Sequence, residues 1–258
     1  FDWTTWNGLA RCRRGAARCE AVFSNPADVG SLAGHLVQQV FQAPDGSIWA
    51  GARTGLLARI DPRTGQGQWL DRQGAAGRTV LGMVAVNPQE IWISTSDGID
   101  VRSAASGEVL RRNAVDSQKP WGLGGNATVL LRDAAGWIWA GSYGGGLRRY
   151  NPELSGLWVR RTGDGQERLL ADADVRSILQ LRNGEIWFGL SRHGIAILDG
   201  NLHVVGTIPT ANGAQPGLPA GVVGALAQTQ GGRVWAGIGE QVVELDAKGR
   251  ILVQHAIA

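Results

Sequence analysis

The 258-residue sequence is short of the residues that most often do chemistry, with two cysteines, one methionine, two tyrosines and four histidines. Among 25 basic residues only Lys119 and Lys248 are lysines, and the formal charge is +3. There is no block of like charge. Nucleic-acid-binding domains concentrate cations on one face, so no nucleic-acid partner is expected. No apolar run approaches the roughly 18 residues that span a bilayer, so the chain holds no expected membrane segment. Nor does a charged and then apolar stretch open it as a leader would; it begins at Phe1 inside strand-like sequence, as a piece of something longer would. The histidines, His35, His193, His203 and His255, have no paired spacing. A Gly-x-Ser-x-Gly elbow and a phosphate-binding loop are likewise missing. Gly144-Gly145-Gly146 opens no helix and reads as a turn. Neither a metal nor a cofactor is expected.

Glycine and tryptophan are plentiful instead, with 39 and 11 copies. Five of the tryptophans stand in one phrase: Ile48-Trp49-Ala50-Gly51, Ile91-Trp92-Ile93-Ser94, Ile138-Trp139-Ala140-Gly141, Ile186-Trp187-Phe188-Gly189 and Val234-Trp235-Ala236-Gly237. Trp49, Trp92, Trp139, Trp187 and Trp235 are spaced by 43, 47, 48 and 48 residues, the period of a propeller blade. Each phrase follows a β-branched run and a Gly or Asn turn, and precedes a second Gly turn, replaced in the last unit by Glu240-Gln241-Val242, then a third strand and a fourth. Runs this short between such turns are strands.

The expected fold is therefore all-β: a β-propeller of four-stranded antiparallel blades, five complete plus a partial sixth, belonging to a ring of six or seven. As a single domain over 1–258 it divides into a partial blade at 1–32 and blades at 33–76, 77–123, 124–171, 172–219 and 220–258. The repeated tryptophans fill the wedges between blades, and the glycine two residues later admits the next sheet. Cys12 and Cys19 flank a hairpin-like stretch. They are a disulfide candidate if their side chains share a face, which would fit an oxidising compartment; two separate thiols are the other reading.

The strings Asp45-Gly46-Ser47-Ile48-Trp49-Ala50-Gly51 through Gly55-Leu56, and Asp133-Ala134-Ala135-Gly136 through Gly146-Leu147, resemble the two-component regulator propeller repeat. Its pattern is an Asp-x-x-Gly turn, an apolar-Trp-apolar-Gly-Thr strand, then Gly-Leu. The resemblance spans nearly the whole chain, with Ser94 replacing one glycine. It implies an extracytoplasmic, periplasmic sensor region of a bacterial hybrid histidine kinase or diguanylate cyclase, attached to a signalling module, with dimerisation as one route of relay. The ligand implied is a small molecule, glycan or peptide. No kinase or cyclase motif is present in this sequence.

The copies disagree most at the turn between second and third strands. Trp6 and Asn7, Arg53 and Thr54, Ser96 and Asp97, Tyr143, Arg192 and His193, and Glu240 occupy it, with Trp121 in a connector on the same face. Rigid turns of differing chemistry are what a binding surface needs. Asp97 and Asp100, like Asp172 and Asp174, read as loop residues and strand caps. Two other readings stand beside the sensor: a protein-interaction scaffold, and a lyase-like or quinoprotein-like enzyme. The last rests on His193 and on Asp61-Pro62-Arg63-Thr64-Gly65-Gln66-Gly67-Gln68-Trp69, which resembles a quinoprotein docking phrase but occurs once. No catalytic residue is assigned.

Overall fold

The computed structural model describes residues 2–5, 8–12, 18–23, 32, 35–71, 78–114, 127–143, 146–152, 174–199, 203–211 and 217–256. Every regular element among them is a β-strand. The chain divides into two compact units, Phe1–Ala114 and Val115–Ala258.

In the first unit, β1 (Asp2–Thr5), β2 (Leu9–Cys12) and β3 (Glu20–Ala21) form a three-stranded sheet. Next come β4 (Val37–Gln42), β5 (Ile48–Ala52), β6 (Leu57–Ile60) and β7 (Gly67–Asp71), then β8 (Val80–Ala85), β9 (Glu90–Thr95), β10 (Gly98–Ser103) and β11 (Val109–Ala114). Each set of four is an antiparallel sheet whose spatial order is its chain order. The second unit repeats the scheme. Its sheets are β12 (Ala127–Arg132), β13 (Ile138–Ser142) and β14 (Gly146–Tyr150), then β15 (Val175–Gln180), β16 (Ile186–Leu190), β17 (Ile195–Leu198) and β18 (Val204–Ile208), and last β19 (Val223–Gln228), β20 (Val234–Ile238), β21 (Gln241–Leu245) and β22 (Ile251–Ala256). The fourth strand expected after β14 lies outside the described residues.

Turn chemistry sets the hairpins. Between first and second strands Gly46, Gly136, Gly184 and Gly232 hold φ of 85°, 86°, 89° and 85°, a region that a side chain makes costly. The residue one or more positions before accepts the turn's N–H groups: Asp45 Oδ1 from Ser47 at 2.9 Å, Asp133 Oδ1 from Ala135 at 3.0 Å, Asn183 Oδ1 from Glu185 at 3.1 Å. Five first strands share one irregularity. Register slips by a residue at Gln38, Leu81, Thr128, Arg176 and Gly224, so each carries a β-bulge one position after its opening residue.

Sheets pack through the tryptophan phrase. Trp49, Trp139 and Trp187 are 0, 1 and 0% exposed. Trp49 packs with Val80, Met83, Ile91 and Ile93 of the following sheet, and Trp187 with Val234, Ala236, Ile238 and Val243 of the sheet after it. Trp139 Nε1 donates to Asp133 Oδ2 at 2.7 Å, and Trp187 Nε1 to Glu185 Oε2 at 3.2 Å. A Cβ on Gly141 would stand 2.5 Å from Val175 Cγ1, the opening residue of the next sheet. The absent side chain is what lets the sheets approach.

The last sheet differs. Its Val234, Ala236 and Ile238 face the preceding sheet and are buried, while Trp235 and Gly237 on the other side are half-buried and Ala225 and Ala227 beside them are exposed. A Cβ on Gly237 would meet nothing nearer than Ala225 of its own sheet, at 3.4 Å. Trp235 stacks instead on His255, with centroids 5.7 Å apart.

Candidate functional site

The turn between second and third strands is tied to the residue that leads into the first strand of the same sheet. Arg53 N–H donates to Leu36 O at 2.8 Å, Ser96 to Thr79 at 3.1 Å, Ser191 to Asp174 at 3.0 Å and Gly239 to Val222 at 3.4 Å. One end of each of these four sheets thus carries both the variable turn and the incoming connector. Trp6, Asn7 and Trp121 lie outside the described residues. Arg53, Asp97, Tyr143, Arg192, His193 and Glu240 are all described, and all are exposed.

In the first unit Arg53 and Asp97 are linked through residues 78–79. Thr79 Oγ1 donates to Arg53 O at 2.9 Å, and Gly55 lies so close to Arg78 that a Cβ there would be 2.6 Å from its carbonyl oxygen. Arg78 pairs with Asp97 at 3.5 Å and with Asp100 at 2.9 Å. Asp97 also accepts from Thr95 Oγ1 at 3.0 Å.

Asp100 corrects its sequence reading. It is no cap but a strand residue, 2% exposed, where β6 and β17 carry Ala58 and Ala196 and β21 carries Val243. Its charge is met by Arg78, by Arg102 at 3.5 Å and by Arg112 at 3.6 Å, and Arg102 reaches across to Asp71 of β7 at 2.9 Å. Buried carboxylates persist only when paired in this way. The network anchors the Asp97 turn to the space between two sheets, with Asp97 and Arg112 as its exposed members.

In the second unit Tyr143 and the Arg192–His193 turn meet through a residue that sequence reasoning missed. Arg176 lies over the Tyr143 ring with its Cζ 5.0 Å from the centroid, and its Nε donates to Ser191 Oγ at 3.0 Å. Arg176 is the bulge residue of β15. The position is the second residue of each first strand, occupied by Gln38, Leu81, Thr128, Arg176 and Gly224, and only the cross-strand register shows that it is displaced. Glu240 follows Gly239, whose φ is 57°.

His193 has no carboxylate partner among the described residues, and no three His, Cys, Asp or Glu side chains among them converge on a metal position. Burial pushes the Tyr150 phenol up to about 12, with nearby Arg148 opposing, so it stays protonated at neutral pH. At the opposite end of the β4–β7 sheet an open groove of about 720 Å³ runs between the two hairpin turns, lined by Gln42, Asp45, Ser47, Arg59, Asp61, Arg63, Gln66 and Gln68. Its charges are largely satisfied from within. Arg59 pairs with Asp45 and donates to Ala105 O at 2.8 Å, while Asp61 accepts the N–H of Arg63 at 2.7 Å. No helix among the described residues is long and apolar enough to cross a membrane.

Cys12 and Cys19 are bonded as a disulfide across the β2–β3 hairpin, with Cα atoms 4.3 Å apart.

No protein-family model matches the chain, and no curated protein matches it. Solved structures do. The extracellular domain of a B. thetaiotaomicron protein described as a hybrid two-component system superposes with a TM-score of 0.71 at 18% identity, over 92% of this chain and 30% of that one. The extracellular domain of a B. thetaiotaomicron one-component system gives 0.64 at 19% identity, over 84% and 27%. The β-propeller domain of a Myceliophteria thermophila protein gives 0.59 at 10% identity, over 83% and 66%. This chain spans less than a third of the length of either bacterial domain. At these identities the likeness is one of fold: antiparallel four-stranded sheets of the β-propeller kind, as found in extracellular domains of bacterial signalling systems.

Proposed function

We propose that this chain is part of an extracytoplasmic sensor propeller of a bacterial signalling receptor. The turns between second and third strands bind a small molecule, glycan or peptide and relay its presence to an attached signalling module. The observation that carries the reading is the contrast at the turn end. The backbones there are fixed by the same hydrogen bond in four of the sheets, while Arg53, Tyr143, Arg192, His193 and Glu240 stand exposed and chemically distinct. In the groove at the other end of the β4–β7 sheet the ionic groups already bind each other. The disulfide supports an oxidising, periplasmic setting. In this reading no residue is assigned a catalytic role.

We further propose that the sheets are blades of a larger ring, divided as 1–32, 33–76, 77–123, 124–171, 172–219 and 220–258. The half-buried Trp235 face then receives another blade of the same repeat, as the Trp187 face receives Val223, Val234 and Ala236.

The test is a thermal-shift screen of the purified chain against panels of sugars, organic acids and short peptides. Variants Arg53→Ala, Tyr143→Ala, Arg192→Ala and Glu240→Ala are compared with Gln66→Ala in the groove. A compound whose stabilisation is lost in a turn variant and kept in Gln66→Ala supports the reading. Stabilisation lost only in Gln66→Ala moves the site to the groove, and no stabilisation by any panel overturns ligand sensing by this chain.

A further inference from the structure

One turn of the second unit is prepared for a particular ligand chemistry. Arg176 leaves β15 at its bulge, a feature that re-aims a side chain out of the strand's alternation. The Tyr143 ring backs the guanidinium at 5.0 Å, and Ser191 Oγ takes the Nε–H at 3.0 Å. Ser191 is itself held by its N–H to Asp174 O at 3.0 Å. Of the five N–H donors of the guanidinium one is thus engaged, and the terminal nitrogens make no hydrogen bond or ion pair among the described residues. Arg176 therefore presents its outer edge in a fixed plane, without the rotamer freedom that an exposed arginine ordinarily loses on binding.

Such a fork matches two oxygens of a planar oxyanion. The next residues, Arg192 and His193, are exposed and add no negative charge, while the nearest acid in the chain, Asp174, already has a partner. Tyr143 is 56% exposed and leaves apolar ring surface beside the fork. A single positive edge next to an aromatic surface suits one carboxylate carried on an apolar body better than a compact, multiply charged anion.

We propose that Tyr143, Arg176 and Ser191 form a binding site for a small organic carboxylate. The inference rests on the reading of the turn end as the ligand-binding end and names the class of ligand there. The carboxylate lies in the plane of the Arg176 fork, and its apolar body lies along Tyr143.

The experiment is a titration of the whole chain followed by ¹H–¹⁵N NMR at constant ionic strength. Benzoate is the probe, benzamide its neutral isostere and inorganic phosphate the tetrahedral anion. Benzoate should move the Arg176 Nε–H and Ser191 N–H signals saturably, benzamide should not, and phosphate should bind at least tenfold more weakly. Arg176→Lys keeps the charge and removes the fork, so benzoate should bind about tenfold or more weakly with the thermal midpoint unchanged. Gln66→Ala, in the groove of the first unit, should bind benzoate as the parent does. The proposal is overturned by the absence of a saturable benzoate shift, by binding to Arg176→Lys within twofold of the parent, or by phosphate binding as tightly as benzoate. If benzoate fails while a compound of another class acts through the turn residues, the sensor reading stands and the carboxylate site alone falls.

Discussion

A methyl group on Gly189 would press on Ser177 Oγ and stand 2.5 Å from Val223 O, the backbone of the next sheet's opening strand. The same methyl on Gly237 would touch only Ala225 at 3.4 Å. Both glycines end the same phrase, so their substitution isolates sheet-to-sheet contact from strand propensity. Gly189→Ala should destabilise by about 1–3 kcal/mol, the usual cost of overpacking, and Gly237→Ala should stay within about 0.5 kcal/mol. Urea midpoints of the two variants check this, and equal losses would show that the glycine serves the strand itself. Single carboxylates also set an acid limit. Asp246 has its pKa lowered, first by the Arg250 N–H, with slight burial opposing and with the Arg250 side chain and Lys248 N–H helping. A carboxylate depressed in the folded state stabilises above its unfolded value of 3.8 and loses that contribution as pH falls through the folded value. Between pH 7 and pH 5 Asp246→Asn should therefore lower the thermal midpoint by a constant amount, and below pH 4 the gap to the parent should narrow. A gap that widens in acid would contradict the assignment.

At the scale of strands and turns, the disulfide closes the β2–β3 hairpin over a sequence separation of seven. A short loop of this kind contributes about 2–3 kcal/mol by restricting the unfolded chain. Cys12→Ser with Cys19→Ser should raise amide exchange at Leu9 and Val22, whose backbones pair at 2.9 Å, while β19–β22 keeps its protection. Exchange rising equally throughout would mean that the hairpin folds only together with everything else. The elements themselves were legible in the sequence because the tryptophan period and the Gly, Asn and Asp turns each mark a strand end. The bulges were not legible, since a bulge exists only relative to the partner strand. Arg176 thus looked like one polar residue among several in a first strand. Asp100 was misread for a related reason. A carboxylate near a turn resembles a cap until Arg78, 22 residues away in the chain, is seen to meet it at 2.9 Å. The variable turns were legible as positions, but the pairing of Tyr143 with the Arg192 turn depended on that same unread bulge.

Across the second unit, burial on the two sides of each tryptophan strand shows how the sheets rely on one another. All five residues of β16 are buried because a sheet covers each face, whereas β20 is buried on one face and half-buried on the other. Trp187 fills a wedge between two sheets, and Trp235 fills half of one. Removing a fully buried aromatic ring costs about 3–5 kcal/mol, and the cost scales with the cavity left behind. Trp187→Ala should fall in that range. Trp235→Ala should cost less than about 1.5 kcal/mol in this chain, since the ring is half-buried and stacks on His255 of its own sheet. The comparison is made by urea unfolding of both variants side by side. In a longer chain that supplies another blade over β20, the two substitutions should become equally costly, because the Trp235 ring would then gain the contacts that Val234, Ala236 and Ile238 give Trp187. Equal costs already in the present chain would mean that the Trp235 face is complete as it stands, and the proposal of a further blade there would fall.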